Sequence, residues 1–385
     1  MKDFVYLDYN ATTPVDPRVA AAILGALQEE FGNPSSGHAL GRSARAAVEA
    51  ARARVAGLIG AAPEDILFTS GGSEANNAAI FGFAELAPPD RRHLIVSAVE
   101  HPAVMAPARQ LAARGWRLSL LPVDELCRTR PADLEALLDD ETAFVSVMLA
   151  NNEVGTLQPV SELAGLCRER AVPFHCDAAQ AVGKLRVDVE QLGVDALTLA
   201  GHKFYAPKGV GALYLRPGLA LPPLIRGAGQ EQGRRAGTEN VPGIIGLGEA
   251  AHLAANLLEE DMVHSLELRG RLLAGLRQHF SATRMRVNGP VDCDSRSCLP
   301  NTLSVAFADL EAGELLARLG DRLAASPGAA CNTDGGKLSA VLLAMGLEPR
   351  WARGTLRFSV GRMSRTAEVD RAVELLSEAI PPRLA

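Results

Sequence analysis

Short apolar runs alternate with segments of helical pattern between about residue 65 and residue 215. The runs are 66–68, 94–96, 118–120, 144–147, 173–176, 197–199 and 212–215. This alternation predicts an α/β layer structure around a largely parallel sheet. In such sheets ligands bind beyond the carboxyl ends of the strands, where loops carry polar groups. We therefore expect the functional residues at the ends of these runs.

Helical patterns precede and follow the predicted sheet region along the sequence. Asp16 followed by Pro17 is typical of a helix start, with a side-chain cap and a proline in the first turn. A long helical stretch covers about 242–280. The segment 285–385 follows the order strand, helix, loop, helix, strand, helix, which indicates a second, smaller α+β domain.

Bulk composition narrows the function classes. Hydrophobic residues make up 48% and charged residues 22%, as in a soluble enzyme. The net charge of -6 offers no overall basic field for nucleic acid. The apolar stretches look short and interrupted, so we expect no membrane span. The segment before Tyr6 lacks the apolar core of a secretory signal, which leads us to expect a cytoplasmic protein.

The cysteines show no disulfide framework, because their spacing is irregular in a long chain. They are Cys127, Cys167, Cys176, Cys293, Cys298 and Cys331. Cys293 and Cys298 invite a zinc interpretation, but no second pair accompanies them. A polar loop that ends in thiols is the simpler interpretation, and we expect no metal.

Lys203 follows the apolar run 197–199 and precedes a loop rich in proline and glycine. A partly desolvated lysine at a strand end has a lowered pKa and forms Schiff bases with carbonyls. The alternative is a solvated surface lysine.

Asp177 comes directly after the run 173–176, and Gln180 follows it. Pyridoxal 5'-phosphate (PLP) needs a carboxylate beside its pyridine nitrogen, which keeps the ring an electron sink. Gln180 is then placed to hydrogen-bond the ring hydroxyl. A helix N-cap is the alternative role for Asp177.

The segment 66–77 combines a strand, a glycine turn and a helix start. Exposed N–H groups and the helix dipole make such a turn a phosphate site, to which Ser73 would add a hydroxyl. The spacing fits neither the nucleotide P-loop nor the dinucleotide fingerprint. A purely structural turn is the alternative.

Two further residues carry chemistry. His101 follows the run 94–96, where an imidazole can stack on a flat ring and relay protons, although a structural histidine is the alternative. Cys331 lies among glycine and small residues, as an accessible nucleophile should. Its alternative is a passive surface thiol.

Over nearly its whole length the chain resembles the cysteine desulfurases, a branch of the class V aminotransferase-like PLP enzymes, and their relatives the selenocysteine lyases. The motifs are 6–14 (YLDYNATTP), 32–36 (GNPSS), 149–155 (LANNEVG), 235–240 (RAGTEN) and 356–362 (LRFSVGR). The resemblance implies the PLP-dependent transferase (aspartate aminotransferase-like) fold with a mainly parallel seven-stranded sheet. We expect a large PLP-binding domain over 15–257. Residues 1–14 with 258–385 would form the small domain that carries the Cys331 loop.

The resemblance also implies roles at the cofactor. Lys203 is the Schiff-base lysine, His101 stacks on the ring and Asp177 faces the pyridine nitrogen. Gln180 contacts the ring hydroxyl. The residues implied for the phosphate are Gly72, Ser73 and His202, with Thr238 from the neighbouring subunit of a homodimer.

At the substrate, the resemblance implies that Asn152 and Arg357 bind the carboxylate, a task suited to a planar guanidinium. Cys331 takes the sulfur of L-cysteine as a persulfide, alanine is released, and the sulfur passes to an acceptor protein or small thiol. Many desulfurases carry a serine where this chain has Ala200, so one phosphate hydrogen bond is expected to be missing.

Three alternatives stay open at this point. A selenocysteine lyase shares the same PLP chemistry, and the lyases resemble this chain around Ala200 and Cys331. A non-catalytic scaffold would be expected to lose Lys203, Asp177 or Cys331, and all three are present. An ordinary aminotransferase would leave Cys331 without a task and would consume a keto acid.

Overall fold

The computed structural model describes residues 4–294, 296–328 and 338–380 of the chain. The strands are β1 Val5–Tyr6, β2 Ile66–Thr69, β3 His93–Ser97, β4 Arg117–Leu121, β5 Thr142–Ser146, β6 Phe174–Asp177, β7 Ala196–Ala200, β8 Gly211–Leu215, β9 Met285–Asn288, β10 Thr302–Phe307, β11 Leu323–Ala324, β12 Ser326–Pro327 and β13 Thr355–Ser359. The helices are α1 Pro17–Glu29, α2 Ala39–Leu58, α3 Gly72–Leu86, α4 Pro102–Ala113, α5 Pro131–Leu137, α6 Val160–Glu169, α7 Val189–Leu192, α8 Val241–His279, α9 Ala312–Leu319, α10 Ala340–Ala344, α11 Pro349–Ala352 and α12 Thr366–Ala379.

The central sheet has seven strands in the order β2-β8-β7-β6-β5-β3-β4. Each of the seven apolar runs forms or overlaps one of these strands, which confirms the predicted α/β class. Only β8 runs against its neighbours, pairing antiparallel with both β2 and β7. Strands β2, β3, β5, β6 and β7 therefore point the same way, and the loops that follow them meet at one edge of the sheet.

The helix starts follow local chemistry. The Asp16 side chain accepts a hydrogen bond from the backbone N–H of Arg18, and Pro17 opens α1, as predicted. Asp16 also accepts from Arg362, a contact between distant parts of the chain. Helix α8 covers 241–279, within one residue of the expected stretch.

A second, smaller sheet lies in the C-terminal part, with four antiparallel strands in the order β12-β13-β10-β9. The N-terminal strand β1 pairs in parallel with β11 nearby. Helix α8 serves two hydrophobic cores: Leu247 and Ala251 pack with the central sheet, whereas Leu268 and Leu272 pack with the small one. This arrangement is in keeping with a boundary near residue 257, which stays a prediction.

Helix α8 corrects one expectation. Among the described residues, α8 is the one helix that is long and apolar enough, by length and composition, to cross a membrane. The expectation that the apolar stretches are all short is therefore wrong. Most of the apolar stretch of this helix is buried inside the protein, and the helix packs against α1, α2 and α12. Its apolar character is therefore that of a core helix buried on several sides.

The prediction of two thiols at Cys293 and Cys298 is wrong, because these residues are joined by a disulfide. The loop between β9 and β10 turns back, so that their Cα atoms lie 5.3 Å apart, a separation suited to a disulfide. The backbone of Cys298 also forms an isolated antiparallel β-bridge with Thr156, which follows the 149–155 motif. Irregular spacing along the sequence could not show this local return of the chain.

Candidate active site

A cavity of about 650 Å³ opens at the carboxyl edge of the central sheet. Nine residues proposed from the sequence line it: Gly72, Ser73, His101, Asn152, Asp177, Gln180, His202, Lys203 and Arg357. Cys331 lies outside the described residues. The eight residues from Gly72 to Lys203 meet because the parallel strands of the central sheet deliver their loops to the same edge, whereas Arg357 comes from the small sheet.

Lys203 is half-buried in the short turn Gly201–Lys203 that follows β7. Its Nζ donates hydrogen bonds to two backbone carbonyls, of Asn10 at 2.7 Å and of Ala11 at 2.9 Å. Desolvation and the Arg357 guanidinium lower the pKa of Lys203 to about 8, while nearby carboxylates act in the opposite direction. This setting is that of a reactive amine rather than of a solvated surface lysine.

Asp177 ends β6 and is buried. One carboxylate oxygen accepts from the backbone N–H of Ala179 at 3.0 Å, as a turn cap does. The other accepts from the amide of Asn76 at 2.7 Å. The same carboxylate therefore caps the turn and lines the cavity. A capping role and a role at the pyridine nitrogen do not exclude each other for Asp177.

The amino end of α3 forms one wall of the cavity. Gly71 precedes the helix with φ 147°, a conformation that favours glycine, and no described side chain caps this end. A Cβ at Gly72 would lie 3.1 Å from the Cβ of Ala200. The uncapped backbone N–H groups at this end of α3, together with the exposed hydroxyl of Ser73, make an anion site. The backbone of Gly72 lies close to Ala200 at the end of β7.

Two histidines border the cavity. His101 caps α4: its Nδ1 accepts from the N–H of Ala103 at 3.1 Å, so the neutral ring carries its proton on Nε2. Desolvation lowers the pKa of His101, and the Asp177 carboxylate opposes this effect. His202 Nδ1 lies 3.2 Å from the hydroxyl of Thr12, and burial lowers the pKa of His202 to about 4. Both imidazoles are expected to be neutral at pH 7.

Arg357 projects from β13 of the small sheet into the cavity. Its Nη2 donates to Asp8 at 2.7 Å and to Ser326 at 2.6 Å, and its Nη1 donates to the carbonyl of Asn152 at 3.0 Å. Its Nε is buried without a partner among the described residues. The guanidinium is therefore held in place from several sides and retains an unused donor.

Sequence reasoning missed four residues around this cavity. Asn10 and Asn76 line it directly, Lys184 lies behind Gln180, and Glu100 is buried beside His101. Asn10 stands in the 6–14 motif, and Glu100 directly precedes a candidate, so position alone was a signal for these two.

Thr238 does not line this cavity within its own chain. It borders a neighbouring cavity of about 300 Å³ together with Ser70, Gly209 and Arg235. Arg235 pairs with Glu74 in the first turn of α3 at 2.9 Å, which ties the loop of Thr238 to the anion site. A reach across a subunit interface stays a prediction.

The aminotransferase class V family model matches residues 5–372. Cysteine desulfurase IscS of Methanosarcina thermophila is 41% identical over 377 residues, which cover 98% of this chain and 92% of that protein. The chain belongs to the cysteine desulfurase family. A solved NifS-like protein superposes on this family member with a TM-score of 0.90 at 36% identity, covering 97% of this chain and 98% of that one. A solved structure of SspA in complex with cysteine superposes with a TM-score of 0.81 at 33% identity, covering 94% of this chain and 100% of that one.

Class V family members use PLP, and the cavity of this desulfurase family member fits that cofactor. An amine of lowered pKa at Lys203 suits its aldehyde, and the buried carboxylate of Asp177 suits its pyridine nitrogen. The uncapped end of α3 suits its phosphate. The fold prediction is confirmed by the same comparisons.

Proposed function

We propose that this protein is a PLP-dependent cysteine desulfurase that converts L-cysteine to L-alanine and transfers the sulfur to Cys331. The observation that carries the proposal is the convergence of Lys203, Asp177 and Arg357 on one cavity in a member of this family. The related SspA was solved in complex with cysteine, which supports the substrate. The similarity to cysteine desulfurases at 41% and 44% identity favours this activity over the selenocysteine lyase alternative.

PLP bound at Lys203 would supply an electron sink for the electron pair left when the substrate Cα–H bond breaks. Asp177 would face its pyridine nitrogen and Gln180 its ring hydroxyl, while His101 would stack on the ring. The residues proposed to hold its phosphate are Gly72, Ser73 and His202.

Lys203 is the base that we propose for the α-proton of the substrate. Because its pKa lies at about 8, a substantial fraction of Nζ is neutral and able to accept a proton near that pH. His101 carries a proton on the ring nitrogen that does not cap α4, and would manage protons on that side of the cavity.

The substrate carboxylate would bind the guanidinium of Arg357 and the side chain of Asn152. Asp8 and Ser326 hold this guanidinium in one orientation, so little side-chain freedom is lost when substrate arrives. The thiolate of Cys331 would then form an S–S bond to the substrate sulfur as the Cβ–S bond breaks. The carbon product takes up protons and leaves as alanine.

The onward path of the sulfur is also a proposal. The persulfide would pass to a sulfur-acceptor protein, as in iron–sulfur cluster assembly or thiolation, or to a small thiol. We propose a homodimer in which Thr238 reaches the phosphate of the neighbouring subunit, since this residue borders a different cavity in its own chain. A cytoplasmic address stays a prediction.

The test compares the purified protein with three variants. The wild type should show the near-visible absorbance of lysine-bound PLP and should release sulfide and alanine from L-cysteine with a thiol acceptor. Lys203→Ala should lose the absorbance, and Cys331→Ala should lose the persulfide and most of the turnover. The matched control is Cys167→Ala, a buried thiol in α6 away from the cavity, which should keep both.

Undiminished cysteine turnover in Cys331→Ala would contradict the persulfide mechanism. Consumption of a keto acid would indicate an aminotransferase instead. A reducible PLP linkage that persists in Lys203→Ala would place the cofactor on another residue.

A further inference from the structure

Lys184 is a partly buried lysine behind the active-site cavity that the proposed mechanism does not use. Desolvation lowers the pKa of its amino group well below the usual range, and the charges of Lys203 and Arg357 act in the same direction. No carboxylate pairs with it among the residues that the structure describes. A desolvated lysine without a counter-charge is costly, so its contacts deserve a functional explanation.

Among the described residues, the amino group of Lys184 donates its hydrogen bonds to Gln180. Its Nζ donates to the side-chain Oε1 of Gln180 at 2.8 Å and to the backbone carbonyl of Gln180 at 3.0 Å. A tight turn places the lysine there, since Gly183 has φ 77° and a Cβ at that position would lie 2.5 Å from the Cβ of Phe204. The chain is thus folded so that the amine returns onto the amide four residues earlier.

The other end of the Gln180 amide is also occupied. Its Nε2 donates to the carbonyl of Asn10 at 2.9 Å, and this carbonyl also accepts from Lys203 at 2.7 Å. If the amide were flipped, its oxygen would face the Asn10 carbonyl, which has no proton to donate. The pair of contacts therefore selects one orientation, with Nε2 on the side of Lys203.

We propose that Lys184 is a positioning residue that fixes the Gln180 amide, so that an N–H rather than a carbonyl faces the ring hydroxyl of PLP. The inference rests on the proposed function. The Nε2 group carries two protons: one is used by Asn10, and the second is available to the cavity that Gln180 lines.

The orientation has a measurable consequence. An N–H donor beside the ring oxygen stabilises its ionised form and withdraws negative charge from it. That charge helps to retain the proton on the nitrogen that joins Lys203 to PLP, so the donor lowers the pKa of the lysine-bound chromophore. The other charged groups that face Lys203 are Arg357, Asp177 and Asp8, and the titratable imidazoles are those of His101 and His202; all five residues stay unchanged in the test.

The test is a spectroscopic pH titration of the holoenzyme. Lys184→Met removes the amine that donates to Gln180 Oε1, so the Gln180 N–H is no longer held toward the ring oxygen. The pKa of the chromophore should then rise by about one unit, the size of one charge-assisted hydrogen bond. Lys184→Arg is the conservative control, since it keeps N–H donors toward Oε1, and should hold the wild-type value. Gln180→Leu should raise the pKa at least as far as Lys184→Met.

A double variant separates positioning from simple charge. If Lys184 acts through the amide, adding Lys184→Met to Gln180→Leu should produce no further shift. A full additional shift would mean that Lys184 acts through its charge, and would overturn the inference. If circular dichroism shows that Lys184→Met is unfolded, Lys184→Leu, which also offers no donor to Oε1, takes its place.

The proposed function and the role of Lys184 are contradicted by different results. Absence of the near-visible band in the wild-type holoenzyme would overturn the proposed function. A normal wild-type band whose pKa is unmoved in folded Lys184→Met would overturn only the role of Lys184.

Discussion

Asn76 in α3 donates a hydrogen bond of 2.7 Å to Asp177 at the end of β6. Both side chains are buried, and the amide oxygen of Asn76 has no partner among the described residues. Together with the N–H of Ala179, this bond occupies both carboxylate oxygens of Asp177. The group proposed to face the pyridine nitrogen is therefore oriented by the protein before any cofactor binds.

Asn76→Ala should lower the free energy of unfolding of the apo-protein by about 1.5–3 kcal/mol, because a buried hydrogen bond to a charged group is lost. PLP should also bind more weakly, since Asp177 loses its orientation. Urea unfolding and cofactor titration measure the two effects. The neighbouring Asn77→Ala, which loses partly exposed bonds to Ser73 and Ala103, is the matched control. Equal losses in both variants would argue against a special role for the contact with Asp177.

Ala200→Ser should tighten PLP binding. Ala200 lines the cavity against Gly72 at the amino end of α3, where a hydroxyl would add a donor to the phosphate site. A hydrogen bond from a hydroxyl to the ionised phosphate is charge-assisted, and it corresponds to a dissociation constant lower by on the order of tenfold. Ala196→Ser, at the opposite end of β7, is the control and should leave the affinity unchanged. A serine at 200 without effect would show that the phosphate is already satisfied there.

The apolar pattern predicted the seven strands of the central sheet, but not the reversal of β8. A run such as 212–215 is buried on both faces whichever way it points, so its hydrophobicity carries no direction. The disulfide between Cys293 and Cys298 was missed because the turn that brings these residues together is closed by hydrogen bonds to Asp294, which the cysteine spacing does not show.

The strand-end rule brought Asp177 and Lys203 to one site from sequence alone. The same rule did not identify Asn10 and Lys184, because neither residue directly follows a strand of the central sheet and both contact the side chain of Gln180. The bond from Gln180 to Asn10 spans 170 positions, and that from Lys203 to Asn10 spans 193. Backbone carbonyls as partners leave no trace in residue type, and only the folded chain shows them.

The rate at which apo-protein captures PLP should rise with pH through about 8 and then level off. The neutral amine is the nucleophile, and the pKa of Lys203 is lowered to about 8, so the reactive fraction grows across that range. Arg357→Gln removes a positive charge and should move the rise to higher pH, whereas Arg357→Lys should hold it near 8. Stopped-flow absorbance gives the profile, and a rate that is flat from about pH 6.5 to 9.5 would contradict the assignment.

Glu100 should make the apo-protein less stable as pH rises from about 4.5 to 8. Burial raises the pKa of this carboxyl to about 8: Oε1 accepts from Ser97 and Met148, while Oε2 has no partner among the described residues. In this window the folded state keeps a proton that the unfolded chain has lost, so the free energy of unfolding falls by up to about 1.4 kcal/mol per pH unit.

Glu100→Gln should remove this decline, because the amide keeps the acceptor at Oε1 and does not ionise. Urea unfolding at a series of pH values should therefore show the variant gaining on the wild type between pH 5 and pH 8. Glu125→Gln, an exposed carboxyl near Cys127, serves as the control and should follow the wild-type curve. Parallel curves for Glu100→Gln and the wild type would mean that Glu100 is ionised in the folded protein across this range, and would contradict its raised pKa.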